Sequence, residues 1–63
     1  MRNKLPELRG ERGWSQQRLA EEIGVSRQTV ISIERGRFDP SLPLAFRLAR
    51  VLELPIEEIF DDD

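Results

Sequence analysis

Neither cysteine nor histidine occurs among the 63 residues. That excludes disulfides, zinc held by cysteine or histidine, and catalysis by either side chain. Aromatic residues are few, one tryptophan and three phenylalanines. Trp14 alone cannot supply the row of rings on which single-stranded nucleic acids stack, so it is read as core or boundary cover. No run is long and apolar enough for a membrane span or a signal peptide. Together with the missing cysteines this leads to an expected cytoplasmic location. Sustained alternation of apolar and polar residues is absent too, as are repeats, so no strand is expected. A chain this short implies one domain, and such a domain buries only about 60% of its unfolded surface. Without staples it depends on tight helix packing and self-association.

The formal net charge is −2, which argues mildly against nucleic acid as a partner. Its distribution argues the other way. Residues 1–37 hold eight Lys or Arg against five Glu, an excess of +3. Residues 38–63 hold Arg47 and Arg50 against seven acids, an excess of −5 that includes the acidic end Asp61-Asp62-Asp63. A polarised chain can turn a basic face to DNA while its other end stays away from it.

The remaining pattern reads as five short helices. Helix 1 is expected from Asn3, acting as cap, to Arg12. Pro6 is tolerated in its first turn and Gly13 closes it. Helix 2 starts from a Ser15 cap and ends at Ile23 before Gly24, with Leu19, Ala20 and Ile23 as its apolar stripe. Helix 3 runs between a Ser26 cap and Gly36, with Val30 and Ile33 buried. Helix 4 opens at Ser41 with Pro43 in its first turn, and its stripe is Leu44, Leu48, Ala49 and Leu52. Helix 5 covers Pro55 to Phe60. The turn between helices 2 and 3 is too short for antiparallel stacking, so the two cross steeply. That is the helix-turn-helix pattern, whose second helix enters the DNA major groove.

The stretch from Gln16 through Leu19-Ala20, Gly24-Val25-Ser26, Val30, Ile33-Glu34-Arg35-Gly36 and Pro40-Ser41-Leu42 closely resembles the Cro/C1-type (XRE-type) helix-turn-helix regulators. The resemblance runs from about Asn3 to Phe60. It implies an all-α, five-helix, lambda-repressor-like domain over 1–60, with its helix-turn-helix core at 15–36 and a short acidic end at 61–63. It also implies binding of double-stranded DNA as a homodimer on a two-fold symmetric operator. Carried over by position, Arg27, Gln28 and Ser32 face base edges. Gln16, Ser26, Thr29, Arg35 and Arg37 hold the phosphate backbone, and Arg9 with Glu34 forms a structural ion pair.

The chemistry of these side chains suits such roles on its own terms. The first turn of helix 3 directs free N–H groups and the positive end of its dipole outward. Arg27 can donate twice to guanine, and Gln28 can pair with adenine, each good bidentate pair discriminating by about 1–3 kcal/mol. Ile31, beside Ser32, can touch a thymine methyl. Arg18 is a weaker phosphate candidate, and Gln17 is read as surface. Leu54, Ile56 and Phe60 are candidates for the dimer surface, though Ile56 and Ile59 also fit the monomer core.

Two departures from the family pattern stand out. Glu53 occupies the place of a helix-ending glycine, so a different turn into helix 5 is expected, and Pro55 occupies that of a serine cap. Ile31 and Ser32 replace smaller residues, so no relative's operator transfers. No cofactor and no metal are expected. The only carboxylate groups lie on exposed faces or the chain end, which leaves no catalytic constellation and points away from an enzyme. The expected function is a DNA-binding transcriptional repressor. The alternative is an antitoxin-type module that binds a toxin protein and autoregulates its operon.

Overall fold

Serine hydroxyls mark the starts of three of the five helices. The elements are α1 (Leu5–Arg12), α2 (Gln16–Ile23), α3 (Arg27–Glu34), α4 (Leu42–Leu52) and α5 (Ile56–Ile59). The computed structural model describes residues 1–62; of the acidic end expected at 61–63, Asp63 lies outside them. Ser15 Oγ accepts the Arg18 N–H at 3.0 Å, Ser26 Oγ that of Thr29 at 3.2 Å, and Ser41 Oγ that of Leu44 at 3.4 Å. Each bond satisfies a first-turn donor that has no acceptor within its own helix, worth about 1 kcal/mol.

The start of α1 differs from the expectation. The helix begins at Leu5, and Asn3 is not its N-cap residue. Asn3 instead forms an isolated antiparallel bridge with Phe60, while the Lys4 N–H donates to Ile59 O at 2.8 Å. Pairing with the chain's other end holds the Asn3 backbone extended, out of the helix. Its side chain still serves two helices. Oδ1 accepts the Leu5 N–H at 3.1 Å, and Nδ2 donates to Ile33 O at the end of α3 at 2.9 Å.

Gly24 lies in the left-handed region at φ 75°, which lets α2 stop and α3 start within three residues. Glu53 also turns left-handed at φ 57°, ending α4 as a glycine would, with its N–H on Ala49 O. The departure at this position therefore leaves the turn in place. The helices close one core of Leu5, Leu19, Ala20, Ile23, Val30, Ile33, Leu44, Leu48, Leu52, Ile59 and Phe60. Ala45 is buried as well, one position from the stripe read for helix 4, and Ala49 is only half-buried. The radius of gyration, 10.3 Å, is about that of a fully compacted chain of this length. Arg12 ties α1 to the end of α4 through Leu52 O at 2.6 Å.

Candidate nucleic-acid interface

Val30 and Ile33 point into the core and set the rotation of α3 about its axis. At about 100° per residue, Gln28, Ile31 and Ser32 then turn away from the core, and Arg27 lies on the flank between the two sides. Arg27 and Gln28 are exposed, whereas Ile31 and Ser32 are half-buried. The Ser26 hydroxyl also lies 3.0 Å from that of Thr29, so the cap is braced by a second side chain. Ser26 takes the Thr29 N–H, which leaves the N–H groups of Arg27 and Gln28 without an acceptor in the helix.

Below this face, Glu34 anchors α3 to the rest of the domain. Its carboxylate accepts from Arg9 Nε at 2.6 Å and from Arg9 Nη2 at 3.1 Å, a bidentate pair. Gln16 Nε2 adds a third bond at 3.1 Å, and Arg9 Nη1 donates to Trp14 O at 3.0 Å. Both charged side chains are largely out of water, at 18% and 6% exposure. The hydrogen bond to Glu34 raises the Arg9 pKa above its ordinary value and the carboxylate's charge adds to this, while burial works against it. Three helices thus meet at one carboxylate, and the only acid of α3 is neutralised internally.

The arginines around the α3 face are not neutralised. Arg27, Arg35 and Arg37 are exposed and form no ion pair among the described residues. Arg18, by contrast, pairs with Glu22 at 2.8 Å and sits 4.8 Å from the Trp14 ring centroid, with Arg12 over the same ring at 5.3 Å. Trp14 is a half-buried boundary residue with two guanidinium groups over its ring.

Two hollows flank α3. Arg9, Ser15, Gln16, Gln17 and Arg27 line an open one of about 620 Å³ where the starts of α2 and α3 come together. On the other side Ser26, Gln28, Thr29, Ser32 and Phe38 line one of about 220 Å³. Phe38 is 48% exposed and was not singled out in the sequence; a lone aromatic in a loop carries no periodic signal. Among the dimer candidates, Leu54 and Ile56 are half-buried, and Phe60, at 7% exposure, belongs to the monomer core. Phe60 therefore offers a partner only an edge. The large apolar side chains that do reach solvent on α4 are Leu42 and Phe46, both outside its apolar stripe.

The sequence model of the helix-turn-helix family matches residues 7–59. An uncharacterised HTH-type transcriptional regulator of Methanocaldococcus jannaschii is 49% identical over 65 residues, covering 100% of this chain and 98% of its own. The restriction-modification controller protein C.AhdI of Aeromonas hydrophila superimposes with a TM-score of 0.81 at 38% identity, over 90% of this chain and 86% of that one. A SinR–SinI protein complex contains a chain that superimposes with a TM-score of 0.81 at 30% identity, over 94% of this chain and 58% of that one.

Proposed function

This chain belongs to the helix-turn-helix family of Cro/C1-type DNA-binding transcriptional regulators, and we propose that it acts as a repressor, binding a two-fold symmetric operator as a homodimer with α3 in the major groove. The observation that carries this reading is the set of three arginines without an ion pair among the described residues, Arg27, Arg35 and Arg37, bracketing the outward face of a helix whose acid is neutralised from beneath. Such a face attracts a polyanion although the whole chain is acidic. In the proposal Arg27, Gln28, Ile31 and Ser32 read base edges. Gln16, Ser26, Thr29, Arg35 and Arg37 hold phosphates, with Gln16 using the amide hydrogen left over from its bond to Glu34. Phe38 joins this surface through the hollow it shares with Gln28 and Ser32. Residues 1–60 act as one binding domain. Repression needs only occupancy of the operator, whereas activation needs a further surface for polymerase. The location that follows is the cytoplasm, where the chromosome is.

Selection of bound sites from random duplex DNA, at about 150 mM salt, tests this. The expected motif is two-fold symmetric, with half-site centres about 10 base pairs apart. An absent or asymmetric motif overturns the proposal. Gln28→Ala relaxes one position in each half-site; an unchanged motif removes its base-reading role. Arg37→Ala weakens binding to all sequences alike and flattens the salt dependence by about 0.9 in log–log slope.

The likeness to a chain of the SinR–SinI complex favours a second reading, in which a protein partner matters as much as DNA. An antitoxin-type module is its specific form. A toxin-like gene adjacent to this one, whose product co-purifies with the chain, would select that reading.

A further inference from the structure

Hydrogen bonds anchor α3 in two directions. Glu34 fixes it to α1 and α2 through Arg9 and Gln16. Asn3 holds it from the other direction, its Nδ2 donating to Ile33 O in the last turn of α3 at 2.9 Å. The backbone of Asn3 belongs to a short extended segment that runs along the exit of α5. There the Lys4 N–H donates to Ile59 O at 2.8 Å, the Asp61 N–H donates to Arg2 O at 2.9 Å, and Asn3 itself bridges Phe60. Among the described residues no hydrogen bond joins α3 to α5 directly. Asn3 supplies that link. Satisfying the Leu5 N–H takes only a side-chain acceptor, which Oδ1 provides at 3.1 Å and which an aspartate would provide as well. What the amide adds is a donor aimed at α3.

The dimer candidates Leu54, Ile56 and Phe60 lie on the α5 side of this link. A dimer on a two-fold site presents two copies of α3 at a separation set by the angle between each α3 and the dimer surface. The molecule measures 20 Å along its shortest axis. Over such a length a tilt of about 10° carries α3 by about 3.5 Å, one base-pair step of DNA. We propose that Asn3 is a positioning residue for operator recognition: its bond to Ile33 O locks the angle of α3 against the α5 end of the domain, and so sets the half-site spacing that the dimer accepts. The inference rests on the homodimer reading. Asn3 acts through α3 and itself touches no DNA.

The test measures affinity of the full chain for three duplexes: the selected operator, the same operator with one base pair added between its half-sites, and a single half-site. Wild type should bind the widened operator at least about tenfold more weakly, because both half-sites no longer engage together. Asn3→Asp keeps the acceptor for Leu5 and loses the donor to Ile33 O. It should bind the half-site within about threefold of wild type and the operator at least about tenfold more weakly, and separate the two spacings by less than about threefold. Asn3→Ala, which puts no carboxylate beside the α3 carbonyls, should show the same pattern and stands in if circular dichroism shows the aspartate variant unfolded. Half-site and operator binding weakened by one common factor would make Asn3 merely structural and overturn the proposal. So would variants that keep the wild-type spacing preference, or that lose dimer formation in sedimentation. Wild type that binds both spacings within about threefold overturns it without any variant. Wild type that binds the operator no more tightly than the half-site overturns the homodimer reading and this inference with it.

Discussion

Glu34 accepts hydrogen bonds from Arg9 and Gln16 in a nearly dry setting, so its removal or that of its partner is not a surface change. Arg9→Ala leaves a buried carboxylate without its cation and should cost about 3 kcal/mol, read by urea unfolding. In a chain of this length that is a large share of the whole stability. The Arg9 shift is upward from a pKa that is already very high. A raised cationic pKa supplies stability that is complete below the unfolded value and lost only as pH climbs through the folded one. The pair therefore contributes no loss between about pH 6 and 9, and a steep fall in that window on titrating wild type but not Arg9→Ala would contradict this. Phe38 is the contrasting case. It is 48% exposed and outside the core, so Phe38→Ala should change stability by no more than about 0.5 kcal/mol while weakening DNA binding. Thermal melting and a binding titration separate the two effects; equal affinity with lowered stability would make Phe38 a structural residue only.

At the scale of the element, serine caps, a glycine at the α2–α3 turn and apolar stripes state where helices start, stop and face. Ser15, Ser26 and Ser41 act as the sequence suggests because a cap needs only the three residues that follow it. Asn3 looks like the same signal and behaves differently. Its backbone is claimed by Phe60 and its amide by Ile33, 57 and 30 positions away in the chain, and no local rule contains those partners. Glu53 shows tertiary structure overriding a local preference. The packing of α4 and α5 holds it at φ 57°, a conformation that costs a non-glycine residue about 1–2 kcal/mol. Glu53→Gly should relieve that strain, lose part of the gain to a freer unfolded chain, and stabilise by about 0.5–1 kcal/mol. A lower midpoint in chemical denaturation would show that the Glu53 side chain makes a compensating contribution.

For the molecule as a whole, smallness and charge polarity govern behaviour. One thin core supports all five helices, so self-association adds stability by mass action. If the chain is a homodimer, its melting temperature should rise with protein concentration, by several degrees over a hundredfold range. A concentration-independent melt would leave α4–α5 an unpartnered surface. Polarity has a structural basis beyond the count of charges. Arg9 is cancelled by Glu34 and Arg18 by Glu22, so the basic charge that remains beside α3 is that of Arg27, Arg35 and Arg37.

By itself the sequence determined the five helices, the short turn that joins α2 to α3, and which side of α3 turns outward. Those features follow from caps, a glycine and spacings contained within a dozen residues, where the chain's own stereochemistry dominates. Tertiary structure decided the rest: that Asn3 ties both ends of the chain to α3, that Phe60 is core, and that Phe38, Leu42 and Phe46 face solvent. Burial depends on every neighbour a side chain meets, including those far along the chain. An apolar residue outside a stripe therefore gives no local sign of whether the fold will cover it or leave it for a partner.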